Sequence, residues 1–346
     1  MQRRRTFVSA LAMALAAFVG SAAAQSGPYQ VQKRVKVGGA GGFDYVYADA
    51  AGRRLYIPRT GPGARITVFN LDTLEPAGEI PMANARGAAV SPKSDHGFGS
   101  SRPITMWDAK TLAPIKTIDV QGGPDGIMYD AFNDRVYVLS HIAPNATVIN
   151  AADGSVVGTI DLGGAPEQAA SDGKGHLYVD LEDKNQIAVV DTKTMMVTAH
   201  YDLAGKGGAC AGLAMDVKNN ILFATCRNPQ AMVVLNAADG NIITTLPIGQ
   251  GTDGAVFNPA TMEAFSSQGD GTLTIVKEES PTSFTVEQTV QTMVSAKTLT
   301  LDSKTNRILL IAAEYDAPAT TPPPGARGRG RGPMTADSFS ILVVGK

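Results

Sequence analysis

Apolar and polar residues alternate with period two in short runs along this chain, and the runs recur in a fixed order. Such alternation specifies strands with one buried face. One run recurs as ITVFNLDTLEP, ITMWDAKTLAP, ATVINAADGSV, IAVVDTKTMMV, MVVLNAADGNI and LTIVKEESPTS. Each begins as a strand, turns on Asp, Asn, Gly or Thr, and resumes as a second strand ending in a Gly-rich joint such as DVQGG or DLGG. Upstream lies another pair, with inner strands FDYVYADA, GPDGIMYDA, CAGLAMDV and TDGAVFNP, then RLYIPR, RVYVLS, HLYVDL, ILFATC and EAFSSQ. Four strands per repeat of roughly forty residues describe the blades of a β-propeller.

The large apolar residue of each second strand falls at Tyr56, Phe98, Tyr137, Tyr178, Phe223, Phe265 and Leu309, with gaps of 42, 39, 41, 45, 42 and 44. Seven positions predict seven blades. The last repeat stops at FSILVVGK, one strand short, while residues 29–39, YQVQKRVKVGG, match a fourth strand with its joint. The sequence therefore predicts an all-β, seven-bladed propeller of four-stranded antiparallel blades, closed by an N-terminal strand that completes the last blade. Closure of this kind removes the open sheet edge.

Two segments depart from the pattern. Residues 1–24 have a basic start, an apolar stretch too short for a comfortable membrane span and an Ala-Ala-Ala site before Gln25, the form of an export signal. Arg4, Arg5, Phe7 and Val8 also fit a twin-arginine signal, so either general secretory or twin-arginine export to the periplasm is expected. Residues 25–346 then form one domain, with 317–336 a flexible Pro/Gly/Arg-rich loop inserted in the last blade. The full chain has 30 basic and 32 acidic residues. Without Arg3, Arg4 and Arg5 it carries net −5, and without Arg327, Arg329 and Arg331 of the loop it carries −8. That balance argues against a nucleic-acid-binding face on the propeller body. No membrane span is expected after signal removal, and the chain is expected to be monomeric.

Cys210 opens the inner strand of the fifth blade, Cys226 ends the next, and the two are symmetric about Lys218 in the intervening turn. Pairing symmetric about that point sets the cysteines opposite one another, within disulfide reach. An exported protein with no C-x-x-C spacing is expected to use such a pair as a structural staple.

Loops that start inner strands and end second strands converge on a propeller's axis. In the first register the equivalent residues are Asp44, Arg86, Asp125, Glu167, Ala211, Asp253 and Lys297. A second ring comprises Arg59, Arg102, His141, Glu182, Arg227 and Glu314. These residues are expected to line a polar mouth, although short acidic side chains can equally cap backbone N–H groups of tight joints. Of the four histidines only His141 belongs to this face, which argues against a His-rich metal site. No metal or cofactor is specified, although the carboxylates allow a divalent cation. Ser140 and His141 are strand neighbours and point to opposite faces, so they do not form a nucleophile–base pair.

Gly123-Pro124-Asp125-Gly126, Tyr137-Val138, Val148-Ile149-Asn150 and Ile160-Asp161-Leu162-Gly163 in the third blade, with Tyr178-Val179 and Val189-Val190-Asp191 in the fourth, give the chain a likeness. It resembles the YVTN β-propeller family, in particular its YncE-like exported members. The literal Tyr-Val-Thr-Asn string is absent, and blades two and six match weakly. The resemblance implies a seven-bladed fold and an exported location, and leaves activity undefined. Related propellers include quinoprotein dehydrogenases, which dock blades with repeated Trp where this chain has only Trp107, and lactonases. Two functions follow as expectations. One is a non-catalytic binding or scaffold protein presenting its axial face to a protein or small polar ligand. The other is a lactonase-like hydrolase using His141, Glu167, Arg227 and Asp253.

Overall fold

In the computed structural model, which describes residues 27–143, 145–317 and 332–346, the alternating runs pair into seven antiparallel sheets. Six of the sheets pair their strands in chain order. The third blade, for example, runs Pro124–Asp130, Arg135–Ser140, Asn145–Asn150 and Val156–Asp161. The predicted markers from Tyr56 to Leu309 all fall in second strands. The expected signal at 1–24, and Arg327, Arg329 and Arg331, lie outside the described residues. The base of the insert is paired, by a Tyr315–Met334 bridge and by Thr335 N–H donating to Glu314 O at 2.9 Å. Among the described residues no helix is long and apolar enough to cross a membrane.

The seventh blade closes as the chain ends predict: Gln30–Lys36 pairs with Ser340–Gly345 and completes the sheet of Leu299–Asp302 and Arg307–Ala312. Apolar packing runs between blades, not within them. Among the described residues seven buried clusters fill seven inter-blade interfaces, from Tyr56, Ile66 and Trp107 between blades 1 and 2 to Phe69, Ile311 and Phe339 between blades 7 and 1. Second and third strands are buried on both faces, whereas the outermost alternate, as in Met196–Asp202. Each fully buried Leu, Ile, Val or Phe contributes about 1.5–3 kcal/mol relative to exposure, so the wedges between blades hold the ring together.

Cys210 and Cys226 form the predicted disulfide. The pairing symmetry that places them needs one correction. In this hairpin Met215 faces Leu222 and Ala214 faces Phe223, one residue out of the register symmetric about Lys218. A register shift between Cys210 and Gly212 then restores Cys210 to Cys226.

Candidate functional site

The same irregularity recurs around the axis. Ladder pairing shifts between Pro124 and Ile127, Pro166 and Ala169, Cys210 and Gly212, and Thr252 and Ala255. The residues it skips include Asp125, Glu167, Ala211 and Asp253. A bulge takes a residue out of the ladder and re-aims its side chain, here towards the axis. In blade 1 the inner strand is broken between Phe43 and Tyr47, around Asp44. In blades 1 and 3 to 6 the axial register of the sequence is thus a register of defects in the inner strands, whereas Arg86 and Lys297 lie just before the regular inner strands of blades 2 and 7.

These defects assemble a network of charges. Arg86 donates to Asp44 at 2.8 Å and lies 3.8 Å from Asp125. His141 Nε2 is 3.6 Å from both Asp125 Oδ2 and Glu167 Oε1. Lys297 pairs with Asp253 and lies 3.6 Å from Asp44. Blade 5 offers only the buried Ala211 here, and Arg227 fills the gap. Held next to Cys226, it bonds Asp253, Glu182 at 2.6 Å and the Thr252 carbonyl at 2.9 Å.

Burial and crowding set the charge states. Asp125 is pushed up to about 6, by burial first and then by Asp44, with Arg86 and His141 opposing. Burial, followed by Asp253 and Asp125, raises Glu167 well above the ordinary range, despite the hydrogen bond it accepts from Tyr45. Burial works against the protonated form of Lys297, but Asp253 and Asp44 outweigh it and raise its pKa.

Three participants carry no charge-pattern signal in the sequence. Tyr45 is displaced by the break in its strand and reaches across the ring, its hydroxyl donating to Glu167 Oε2 at 2.8 Å. Gln168 lies beneath, accepting from the amides of Leu213 and Ala255 and donating to Ala255 O at 3.0 Å, so it joins blades 4, 5 and 6. Asp180 is wholly buried with neither oxygen hydrogen-bonded, and burial raises it far above the usual carboxylate range against the pull of Arg227. Tyr45, Gln168, Asp253, Thr298 and Thr300 line a cavity of about 200 Å³ under the mouth.

Not every predicted member of the second ring reaches the site. Arg59 is 1% exposed, stacks 3.5 Å above the Phe339 ring and donates to Gly38 O, between blades 7 and 1. Burial, then Arg65, lowers it to about 10. Arg102 is exposed and bonds Gly122 O at 3.2 Å. Glu314 pairs with Arg34 of the closing strand at 2.6 Å. Asp44, Arg86, Asp125, His141, Glu167, Glu182, Arg227, Asp253 and Lys297 are the expected residues that meet. Ser140 accepts from Gly123 N–H at 2.8 Å, in the joint before the inner strand of its own blade, and donates to Ile142 O at 2.6 Å in its own turn.

No protein-family model and no curated protein matches the chain. Solved structures do resemble it. The WD40 repeats of RRP9 give a TM-score of 0.72 at 11% identity, over 93% of this chain and 99% of that one. U3-55K gives 0.71 at 10% identity, over 92% and 99%. Kuenenia stuttgartiensis hydrazine synthase gives 0.67 at 14% identity, over 78% and 92%. At such identities the likeness is one of fold alone, a β-propeller.

Proposed function

We propose that this is an exported, YncE-like binding propeller whose axial mouth receives a positively charged polar group of a small ligand or partner protein. The observation that carries this reading is the balance of the mouth. Five carboxylates, Asp44, Asp125, Glu167, Glu182 and Asp253, meet three permanent cations, Arg86, Arg227 and Lys297. An incoming cation would favour the ionised forms that burial and crowding disfavour at Asp125 and Glu167, in a concave site whose low-dielectric walls strengthen the attraction. Ile142 and Val294, 71% and 63% exposed on the loops of this face, supply apolar contact for a larger partner. The signal pattern at 1–24 and the disulfide support export.

Titration calorimetry with spermidine and with a short Lys-rich peptide tests the reading. Wild type should bind, and Glu167→Gln or Asp253→Asn should each weaken binding about tenfold or more, the value of a charged hydrogen bond. A screen of lactones and esters tests the hydrolase alternative. Turnover lost in Glu167→Ala or Asp253→Ala would replace the binding reading with it.

A further inference from the structure

We infer that Asp125, His141 and Glu167 form a binding site for one transition-metal dication of the zinc type in the axial mouth. The donors come from adjacent blades: Asp125 and Glu167 from inner-strand bulges, His141 from the end of a second strand. All three donor atoms lie within 4.8 Å of one another. The two 3.6 Å separations from His141 Nε2 are too long for hydrogen bonds. Tetrahedral zinc with ligands at 2.0–2.1 Å sets its donors about 3.3 Å apart. Closing the site around such an ion draws each carboxylate towards His141 Nε2 by a few tenths of an ångström and brings the two carboxylates, within 4.8 Å of each other, to the same spacing.

The unspent polar capacity of the mouth is concentrated at this point. His141 Nε2, which faces both carboxylates, is occluded from solvent and has no hydrogen-bond partner. Lys297 is committed to Asp253 and Arg227 to Glu182 and Asp253, while Arg86 bonds Asp44 and lies 3.8 Å from Asp125 Oδ1, which leaves Asp125 Oδ2 to face His141. Glu167 is 8% exposed, and among the described residues its side chain meets no Lys or Arg within 4.0 Å. Tyr45 holds Glu167 Oε2 at 2.8 Å, leaving Oε1 to face His141, the outer-shell support that metal-binding carboxylates usually have. One imidazole nitrogen with two carboxylate oxygens suits zinc or manganese better than calcium or magnesium, which favour all-oxygen shells. Three protein donors leave a fourth position open towards the mouth.

The inference deepens the binding reading at the same mouth and rests on it for nothing beyond location. The purified protein, stripped with EDTA and dialysed against zinc chloride, is assayed for metal per chain by plasma emission and for affinity by competition with a chromogenic chelator. One zinc per chain is expected. Glu167→Gln should weaken it at least tenfold and His141→Ala at least a hundredfold, with circular dichroism unchanged. His200→Ala should bind as wild type, because His200 lies on an outer strand against Leu162 O. Cobalt in place of zinc should show visible bands that vanish in His141→Ala. No retained zinc, or wild-type affinity in His141→Ala, overturns the inference. Spermidine titration of the stripped protein separates the two claims. Binding without any zinc site leaves the binding reading standing alone, and a zinc site without spermidine or peptide binding leaves only the metal inference.

Discussion

The axial mouth and the seam where the chain ends meet are both clusters of charged and polar groups joining different blades. At the seam, Glu263 is 0% exposed and both its oxygens are engaged, Oε2 by the Tyr29 hydroxyl and Oε1 by Lys346 at 2.7 Å. Gln288 accepts from Tyr29 N–H at 2.9 Å and donates to Tyr29 O at 2.7 Å. Lys346 also lies 4.9 Å above the Tyr29 ring. In the mouth, by contrast, His141 Nε2 and Asp125 Oδ1 have no hydrogen bond, and Asp180 nearby has none on either oxygen. Burial and charge are common to both regions. The seam too keeps buried atoms without a bond, Glu287 Oε2 and Thr261 Oγ1, so what separates a clasp from a site is that the central carboxylate of the clasp, Glu263, is fully engaged within the fold.

The contrast breaks most readily at the clasp. Glu263→Ala strands the buried Tyr29 hydroxyl and releases the half-exposed Lys346, and should cost about 4 kcal/mol in chemical denaturation, a charged hydrogen bond lost and a buried donor left unsatisfied. Asp253→Asn leaves Arg227 on Glu182 and Lys297 near Asp44, and should cost about 2 kcal/mol, the value of a hydrogen bond to a charged group. Equal costs would erase the distinction between clasp and site. Next in size is Cys226→Ser, which opens a link across a sequence separation of 16 and should cost about 3 kcal/mol. It should also weaken spermidine binding, because Arg227 loses its tether, while the seam stays intact. Intact mouth affinity would show that the disulfide does not organise the site.

The smallest effect is one of sign. Asp125 has a folded pKa of about 6 against an ordinary 3.8, so its contribution is full below 3.8 and is lost as pH rises through 6. Glu263 is the reverse: burial would raise it, but the bonds from Lys346 and Tyr29 prevail and lower it. Its contribution is present above the ordinary carboxylate value and lost on acidification. Asp125→Asn should therefore flatten the decline in stability between pH 4 and about 6, and Glu263→Gln should flatten the loss at lower pH. Unaltered pH profiles in thermal unfolding would contradict both assignments.

The count of blades, the closing strand and the cysteine pair were legible because each depends on local alternation and spacing. Tyr29 to Gly39 shows its role by matching fourth strands elsewhere, and the second strands repeat their aromatic position. The axial positions of Asp44, Asp125, Glu167, Asp253 and Lys297 were legible for the same reason. Arg59 was misplaced because Phe339, from the far end of the chain, takes its guanidinium into the interface between blades 7 and 1. The hairpin of Cys210 and Cys226 shows the boundary most clearly. Symmetry about the turn pairs the cysteines correctly while missing the one-residue offset and the bulge that cancels it.

By itself, then, the sequence determined strands, blades, their number and the residues offered to the axis, since period-two burial and turn chemistry are properties of neighbouring residues. Only the tertiary structure decided which of those residues meet. Bulges re-aim Asp125, Glu167 and Asp253, a broken strand sends Tyr45 across to Glu167, and Arg227 fills the place left by Ala211. Those outcomes depend on hydrogen bonds and ion pairs between blades far apart in the chain, which become defined once the ring has closed.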